Sequence, residues 1–446
     1  MKYLVITLIL LTFFLPLKAQ QAGEKMVFTL DECLKIAMSG NYDIQLRQAQ
    51  SNTAAAQLTK AFGEYLPSLS YQLGYQRYLN PEMGTTANIG GQIITVGKQP
   101  PNNYNMSVSA QLNLFDGFMR EYQYSQSKEN YNSITTFTKF TLKKIEYDVI
   151  VNYIEVIKNQ QIIKIRQENL ALARAQLEKT KAQYEAGVLS ITNVYAEEAD
   201  VGNQELELIR SENDLNVAKA NMLSTMGMNP DINAEFLDSG FPQDINPKEV
   251  EAFRKKAGSI LAAIDAAINN RLDLRSQKHT LESYRSAVDV AQSGYFPRLS
   301  AYGGWNWSNY YIEDFQRNGK FFVGFGLSFQ LFDNFSTNLA IQNAELQFKE
   351  NELRLKSSEQ SLRNAVQVAF LSLESTEKQL EVTEKTLKYS SQVYDSMRES
   401  YNIGNASITD LLTSTNQYIN ARINRITSVY YYIKAQKNLM YTIGNL

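Results

Sequence analysis

The sequence predicts an α+β membrane protein: a long-helix α-barrel of coiled-coil helices joined to a transmembrane β-barrel, with four strands per chain and closure by further copies of the chain. Three observations predict it. The chain is written twice, it carries four stretches of apolar/polar alternation, and it carries two unbroken helical stretches of equal length.

The duplication comes first, because a long-period repeat decides how everything else is read. Tyr65-Leu66-Pro67-Ser68-Leu69-Ser70 returns as Tyr295-Phe296-Pro297-Arg298-Leu299-Ser300, an offset of 230 residues. Leu114-Phe115-Asp116-Gly117-Phe118 returns as Leu331-Phe332-Asp333-Asn334-Phe335, an offset of 217. At the same offset Tyr184-x-x-Gly187-x-x-Ser190-Ile191-Thr192 returns as Tyr401-x-x-Gly404-x-x-Ser407-Ile408-Thr409, and Gly227 as Gly444. The halves therefore differ chiefly in one loop, at about 80–103, which is 13 residues longer in the first half. The implied organisation is a leader at 1–20, a first repeat at 21–230 with a β-hairpin at 66–115, an inter-repeat equatorial linker at 231–257, and a second repeat at 258–446 with a hairpin at 296–332.

The leader is Met1-Lys2, an apolar run from Tyr3 to Leu17, and Lys18-Ala19-Gln20. A positive start, a short apolar core and a small residue near the cut describe a cleaved secretory signal peptide. The run is shorter than the roughly 20 apolar residues of a spanning helix.

Four strands follow from period-two patterning. Leu69, Tyr71, Leu73 and Tyr75 alternate with Ser70, Gln72 and Gly74; Tyr104, Met106, Val108, Ala110 and Leu112 alternate with Asn105, Ser107, Ser109 and Gln111. In the second half Leu299, Ala301, Trp305 and Trp307 alternate with Ser300, Gly304 and Asn306, and Phe321, Val323, Phe325 and Leu327 alternate with Phe322, Gly324 and Gly326. The strands are as long as a tilted bilayer crossing requires. Their polar faces carry Ser, Asn, Gln and Gly, as a water-filled lumen would have, and Trp305 and Trp307 are expected to face lipid. An open sheet edge cannot stand in hydrocarbon, and the smallest common barrels have eight strands, so four strands require an oligomer of unspecified number.

The helical stretches Phe118–Tyr184 and Phe335–Tyr401 are each 67 residues and contain no Pro. Seven-residue steps run through both: Val149, Val156, Ile163, Leu170, Leu177 and Tyr184, then Val366, Leu373, Leu380, Leu387, Tyr394 and Tyr401. Such a stripe makes a coiled-coil seam. Shorter stretches, Thr29–Glu64, Thr192–Gly227, Gly258–Gly294 and Thr409–Gly444, are each expected as one helix of about 36 residues, two of them in line beside each long one.

Composition removes several function classes. Lys plus Arg number 44 against 46 Asp plus Glu, a net charge of −2, so there is no basic stripe for nucleic acid. With one His (His279) and one Cys (Cys33), a disulfide within the chain and a His/Cys zinc site are both excluded, and no catalytic constellation assembles. No metal, cofactor or enzymatic activity is expected. The acidic run Glu197-Glu198-x-Asp200, with Glu205 and Glu207, reads as a solvated helix face. Asp43 and Asp273 sit near helix starts, where they suit the macrodipole.

The duplicated Tyr-x-x-Gly-x-x-x-x-Thr-[Asp/Asn] turn, the Leu-Pro-x-Leu lead-in to the first hairpin with its Phe-Pro-x-Leu counterpart, and the Leu-Phe-Asp exit are joined by two helix starts. These are Cys33-Leu34-x-x-Ala37-x-x-x-Asn41-x-Asp43-Ile44 and Ala263-Ile264-x-x-Ala267-x-x-x-Arg271-x-Asp273-Leu274. In this order, twice, they make the chain resemble the outer-membrane efflux proteins of the TolC type, over essentially all of the mature sequence. The resemblance implies a homotrimer with a twelve-strand barrel in outer-membrane lipid and a helical tunnel through the periplasm. It also implies passive export of drugs, small molecules or proteins (multidrug efflux or type I secretion), with a periplasmic adaptor and an inner-membrane RND, ABC or MFS transporter as partners. It further implies a periplasmic gate at Tyr401, Asp410, Thr192 and Asn193, and adaptor docking at the tip turns Tyr184, Gly187, Ser190, Gly404, Ser407 and Thr409. The gate departs from the family pattern: Ala406 stands where an Arg is usual, and Asn193 and Thr413 where Asp is usual. The contrasting reading of the same pattern is a non-conducting secreted coiled-coil scaffold or adhesin. For the turns alone, Gly187 and Gly404 suit a backbone with positive φ, and Ser190 or Thr192, and Ser407 or Thr409, suit helix N-caps.

Overall fold

The computed structural model describes residues 26–79, 86–95, 100–238, 241–242, 244–312 and 317–445. The leader at 1–20 and the loop residues Pro81 and Gly84 lie outside them. In chain order the elements are β1 (Met26–Phe28), α1 (Leu30–Gly40), α2 (Tyr42–Gly63), β2 (Ser68–Arg77), β3 (Thr86–Ile89), β4 (Gln92–Thr95), β5 (Asn102–Phe115), α3 (Met119–Glu185), α4 (Ile191–Thr225), β6 (Ala234–Phe236), α5 (Pro247–Ala257), α6 (Ile260–Asn270), α7 (Leu272–Gln292), β7 (Arg298–Asn309), β8 (Lys320–Ser328), α8 (Ser336–Asn402) and α9 (Ile408–Thr442).

Two compact units divide the chain, and each draws on both repeats. The first contains Met1–Asn41, Asp148–Asn246 and Thr376–Lys434; the second contains Tyr42–Tyr147, Pro247–Ser375 and Ala435–Leu446.

The second unit holds the sheet, an antiparallel ladder in the order β2-β5-β7-β8. The register places Tyr71, Val108, Trp305 and Phe321 in one cross-strand row, and Gln72, Ser107, Asn306 and Lys320 in the next. Apolar and polar rows therefore take opposite faces, as the pleat requires. The apolar residues of the outer strands stand clear of the chain: Tyr71 is 60% exposed and Phe321 87%. Among the described residues β2 and β8 are the open edges of the sheet, each paired on one side alone. One difference from expectation is that Trp307, on the same face as Trp305 by register, is covered by the chain and only 3% exposed. A Cβ on Gly319 would come within 2.6 Å of the Trp305 indole nitrogen, so the turn before β8 lies against that ring.

Each strand pair leaves the sheet through a matched corner. Phe118 and Phe335 both adopt φ of 64°, a left-handed conformation unusual for a bulky side chain. Each is held by an edge-on ring, Phe115 on Phe118 and Phe332 on Phe335, with centroids 5.6 Å apart in both pairs. Asp333 then accepts from the Thr337 amide (2.7 Å), capping α8, and Asp116 pairs with Arg120 at 3.0 Å on α3.

The long helices are 67 residues each, as their patterning predicts. Their seven-residue stripe is buried over much of its length: Val149, Val156, Leu170 and Leu177 on α3, and Val366, Leu373 and Leu380 on α8, are all 8% exposed or less, whereas Ile163, Leu387, Tyr394 and Tyr401 are half-buried and Tyr184 is exposed. The shorter stretches differ from expectation in the first part of each repeat. Thr29–Glu64 is broken at Asn41 into α1 and α2, and Gly258–Gly294 at Arg271 into α6 and α7, with both break residues extended. Other groups hold each break. Asn41 Nδ2 donates to the Thr225 carbonyl at the end of α4 (2.8 Å). Arg271 donates to the Tyr441 carbonyl near the end of α9 (3.3 Å), and its guanidinium lies 5.0 Å from the Phe140 and Tyr441 ring centres. The break therefore satisfies end-of-helix carbonyls that lack an intrahelical partner.

The linker is not irregular throughout. Its β6 pairs in parallel with β1, stacking Phe28 on Phe236 and Phe236 against Tyr153 of α3 in the first unit's core. The long loop likewise carries its own hairpin, β3–β4, turned through Gly90 and Gly91.

Candidate functional site

The two helical turns, α3 to α4 and α8 to α9, both lie in the first unit and are built alike. Gly187 and Gly404 take φ of 74° and 79°. The Gly187 amide donates to the Tyr184 carbonyl (2.9 Å) and the Val188 amide to Gln183 (2.9 Å). At the second turn Gly404 donates to Tyr401 (3.1 Å) and Asn405 to Ser400 (2.8 Å). This pair of bonds is the Schellman arrangement, which closes a helix on a left-handed glycine.

The returning helices start on the serines. Ser190 Oγ accepts from the Thr192 amide at 3.1 Å. Ser407 Oγ accepts from the Asp410 amide (3.2 Å), while Asp410 Oδ2 accepts from the Ser407 amide (3.2 Å) and hydroxyl (2.6 Å), a reciprocal capping box. Those bonds from Ser407 hold the Asp410 carboxyl below the usual aspartate range. Lys179 Nζ donates to Asn402 Oδ1 (2.8 Å), tying the end of α3 to the end of α8. The surface around the turns is apolar and open: Val188 is 69% exposed, Tyr195 61%, Ile403 73% and Tyr184 42%.

The predicted gate residues differ in exposure. Thr192 and Asp410 are exposed in the first turns of α4 and α9, and Asn193 is half-buried beside Thr192. Tyr401 instead carries its hydroxyl into the packing, near Thr180, Gln176 and Glu197. That hydroxyl is buried and makes no fully formed hydrogen bond among the described residues; burial pushes its pKa up, against the pull of Thr180 and Gln176.

Glu197 is the residue that sequence reasoning misplaced. Glu198, Glu205 and Glu207 do lie on a wetted face, paired with Lys181 (3.4 Å), Arg174 (2.6 Å) and Arg166 (3.1 Å). Glu197 is fully buried. Burial first, and the charge of Asp200 second, push its carboxyl up to about 7. Gln176 pulls the other way, although its amide falls short of a formed hydrogen bond. The spacing contained the signal: Val194, Glu197, Val201 and Gln204 step by three and four along α4, and three of them are buried.

Among the described residues no group of three His, Cys, Asp or Glu converges as a metal site would, and no helix is long and apolar enough to cross a membrane. The sheet's open edges and exposed apolar face are those of one subunit of a β-barrel that further copies close. The family model for outer membrane efflux proteins matches residues 33–228 and again 263–445, and the chain belongs to that family. The outer membrane protein TolC of Vibrio cholerae serotype O1 is 23% identical over 300 residues, which is 66% of each chain; this sequence thus spans about two thirds of that relative's length. A membrane protein from Pseudomonas aeruginosa superposes with a TM-score of 0.79 at 14% identity, covering 93% of this chain and 92% of the other. The CmeC outer membrane channel of Campylobacter jejuni does so with a TM-score of 0.77 at 15% identity, covering 93% and 85%. At these identities the structural likenesses speak for the fold, including the open sheet of the single chain.

Proposed function

We propose that the chain forms a homotrimeric channel-tunnel in the outer membrane. It passively exports drugs, small molecules or proteins handed on by an inner-membrane RND, ABC or MFS transporter through a periplasmic adaptor. The observation that carries this reading is the sheet: four strands, an exposed apolar face and two unpaired edges, on the same chain as two 67-residue helices. Three copies bring twelve strands, within the range of known barrels. The apolar, open turns around Gly187 and Gly404 suit docking of adaptor hairpins, with Tyr184, Ser190, Ser407 and Thr409 at the contact. Thr192, Asn193, Asp410 and Tyr401 suit the narrow end, where Asp410 supplies a ring of charge. Residues 1–20 serve as the cleaved leader.

The test is reconstitution. Membranes from expressing cells should yield a heat-modifiable, detergent-dependent trimer that conducts in planar bilayers. Crosslinkers placed at the turns should capture an adaptor. A chain that stays in the aqueous phase without detergent and conducts nothing overturns the channel and supports the scaffold reading.

A further inference from the structure

The seam near the turns is polar where a coiled-coil seam is ordinarily apolar. Thr180 on α3 and Glu197 on α4 are both fully buried. Among the described residues neither Glu197 oxygen has a hydrogen-bond partner, and the same holds for Thr180 Oγ1, Gln176 Nε2, Gln183 Oε1 and the Tyr401 hydroxyl. Further along α4 the polar character continues in satisfied form: Asn169 donates to Gln204 (2.7 Å), and Gln204 donates to Asp200 (3.2 Å) and to Asn416 of α9 (3.0 Å). The unsatisfied layer around Glu197 is thus a distinct feature.

The charges facing it are accounted for element by element. On α4, Asp200 repels a Glu197 carboxylate and Glu198 is paired with Lys181. On α3, Lys181 is occupied by Glu198 and Glu178 (3.8 Å), and the remaining neighbours, Gln176 and Thr180, are neutral. On α8 the facing group is the Tyr401 phenol. Among the described residues no Lys or Arg forms an ion pair with Glu197. An ionised carboxylate there would be buried, uncompensated and beside a like charge, which is strongly unfavourable. A neutral carboxyl has an O–H that the Thr180 or Tyr401 hydroxyl oxygen can accept, while its carbonyl oxygen remains open to the Gln176 amide. The second repeat has Ser414 at the matching position, so the feature occurs once per chain.

We propose that Glu197 is a proton-binding site that couples the packing of α3, α4 and α8 near the turns to the pH of the surrounding compartment. The proton stays bound while the helices are packed; parting them hydrates the carboxyl and releases it. By linkage, raising the pH favours the parted state. The proposal stands independently of conduction, and its readout is local packing.

The experiment uses the full-length protein in detergent. Hydrogen exchange is followed over residues 176–204, corrected for the pH dependence of the chemical exchange step. Between about pH 5 and pH 7, protection should fall about tenfold per pH unit and then level off, because the packed state holds the proton up to about 7 and the parted state releases it near the ordinary glutamate value. Glu197→Gln should hold the acid-level protection throughout. Asp200→Asn, which removes the repelling charge from a partly exposed position, should move the levelling-off to lower pH. Infrared difference spectra between pH 5 and 8 should show a protonated carboxyl that Glu197→Gln lacks. Flat wild-type protection, a pH slope that survives Glu197→Gln, or an Asp200→Asn curve identical to wild type overturns the proposal.

Discussion

Gly227 meets Gly40 backbone to backbone: a Cβ on Gly227 would lie 2.3 Å from the Gly40 carbonyl oxygen and 2.6 Å from its carbon. The turn after α4 is thus seated on the break between α1 and α2. Gly444 repeats the arrangement more loosely after α9, with Asn270 Cβ at 3.2 Å. Gly187, also at positive φ, has nothing within 4 Å. Three alanine substitutions should therefore rank. Gly187→Ala carries only the left-handed penalty of about 1 kcal/mol. Gly444→Ala should cost slightly more. Gly227→Ala meets immovable backbone as well and should cost about 2–4 kcal/mol. Thermal dissociation of the purified oligomer reads the order; equal shifts would show that the Gly227 contact carries no energy.

Arg425 anchors the linker. It is 7% exposed, donates to the Leu380 carbonyl (2.7 Å), hydrogen-bonds Asp244, and has Glu384 at 3.7 Å. Its acidic partners are largely in water, at 76% and 62% side-chain exposure. The asymmetry fixes the outcome. Asp244→Asn or Glu384→Gln should cost under about 1 kcal/mol, as for exposed ion pairs. Arg425→Leu strips a buried carbonyl contact and both charges and should cost about 2–4 kcal/mol. Urea unfolding followed near residue 244 distinguishes the two.

Pattern that repeats over many residues was legible in the sequence; contacts between distant segments were not. The 67-residue helices and the four strands follow from unbroken periodicity, and of the two cap candidates read at each turn, Ser190 or Thr192 and Ser407 or Thr409, the serines take the position. The breaks at Asn41 and Arg271 were masked, because carbonyl ends 184 and 170 residues away in sequence hold them. Asp43 and Asp273, read as acids near helix starts, do lie in first turns, those of α2 and α7 beyond the breaks, and Asp273 Oδ1 accepts from the Leu274 amide (2.9 Å). Glu197 was hidden by its neighbours: three acids within four residues look like a solvated face, and only its spacing of three from Val194 and seven from Gln204 separates it from them.

Cys33 is fully buried in α1, and burial, with the charge of Glu32 adding to it, pushes its thiol up to about 12. Since the thiolate is the reactive form, maleimide at pH 8 should leave the native protein unlabelled for hours and label the denatured chain within minutes. Cys33→Ala leaves a small cavity, whereas Cys33→Ser buries a hydroxyl and should cost about 1–3 kcal/mol more. Rapid native labelling would mean that α1 opens locally.

The pKa values of Asp410 and Glu197 are shifted in opposite directions, which separates the pH ranges in which each changes charge. The Ser407 hydrogen bonds lower the Asp410 pKa, so the capping box is complete above the usual aspartate pKa of about 4 and is lost only as pH falls through the lowered value. Across pH 5–8 the Asp410 charge is constant. Cation preference set by an Asp410 ring should therefore be independent of pH in that range, and Asp410→Asn should cut it several-fold. Ser407→Ala keeps the charge but removes the hydroxyl that fixes it; selectivity should persist, while its loss on acidification begins at higher pH. Reversal potentials in planar bilayers under a salt gradient measure both variants. Unchanged selectivity in Asp410→Asn would place the narrowest ring elsewhere and leave Asp410 as the cap of α9 alone.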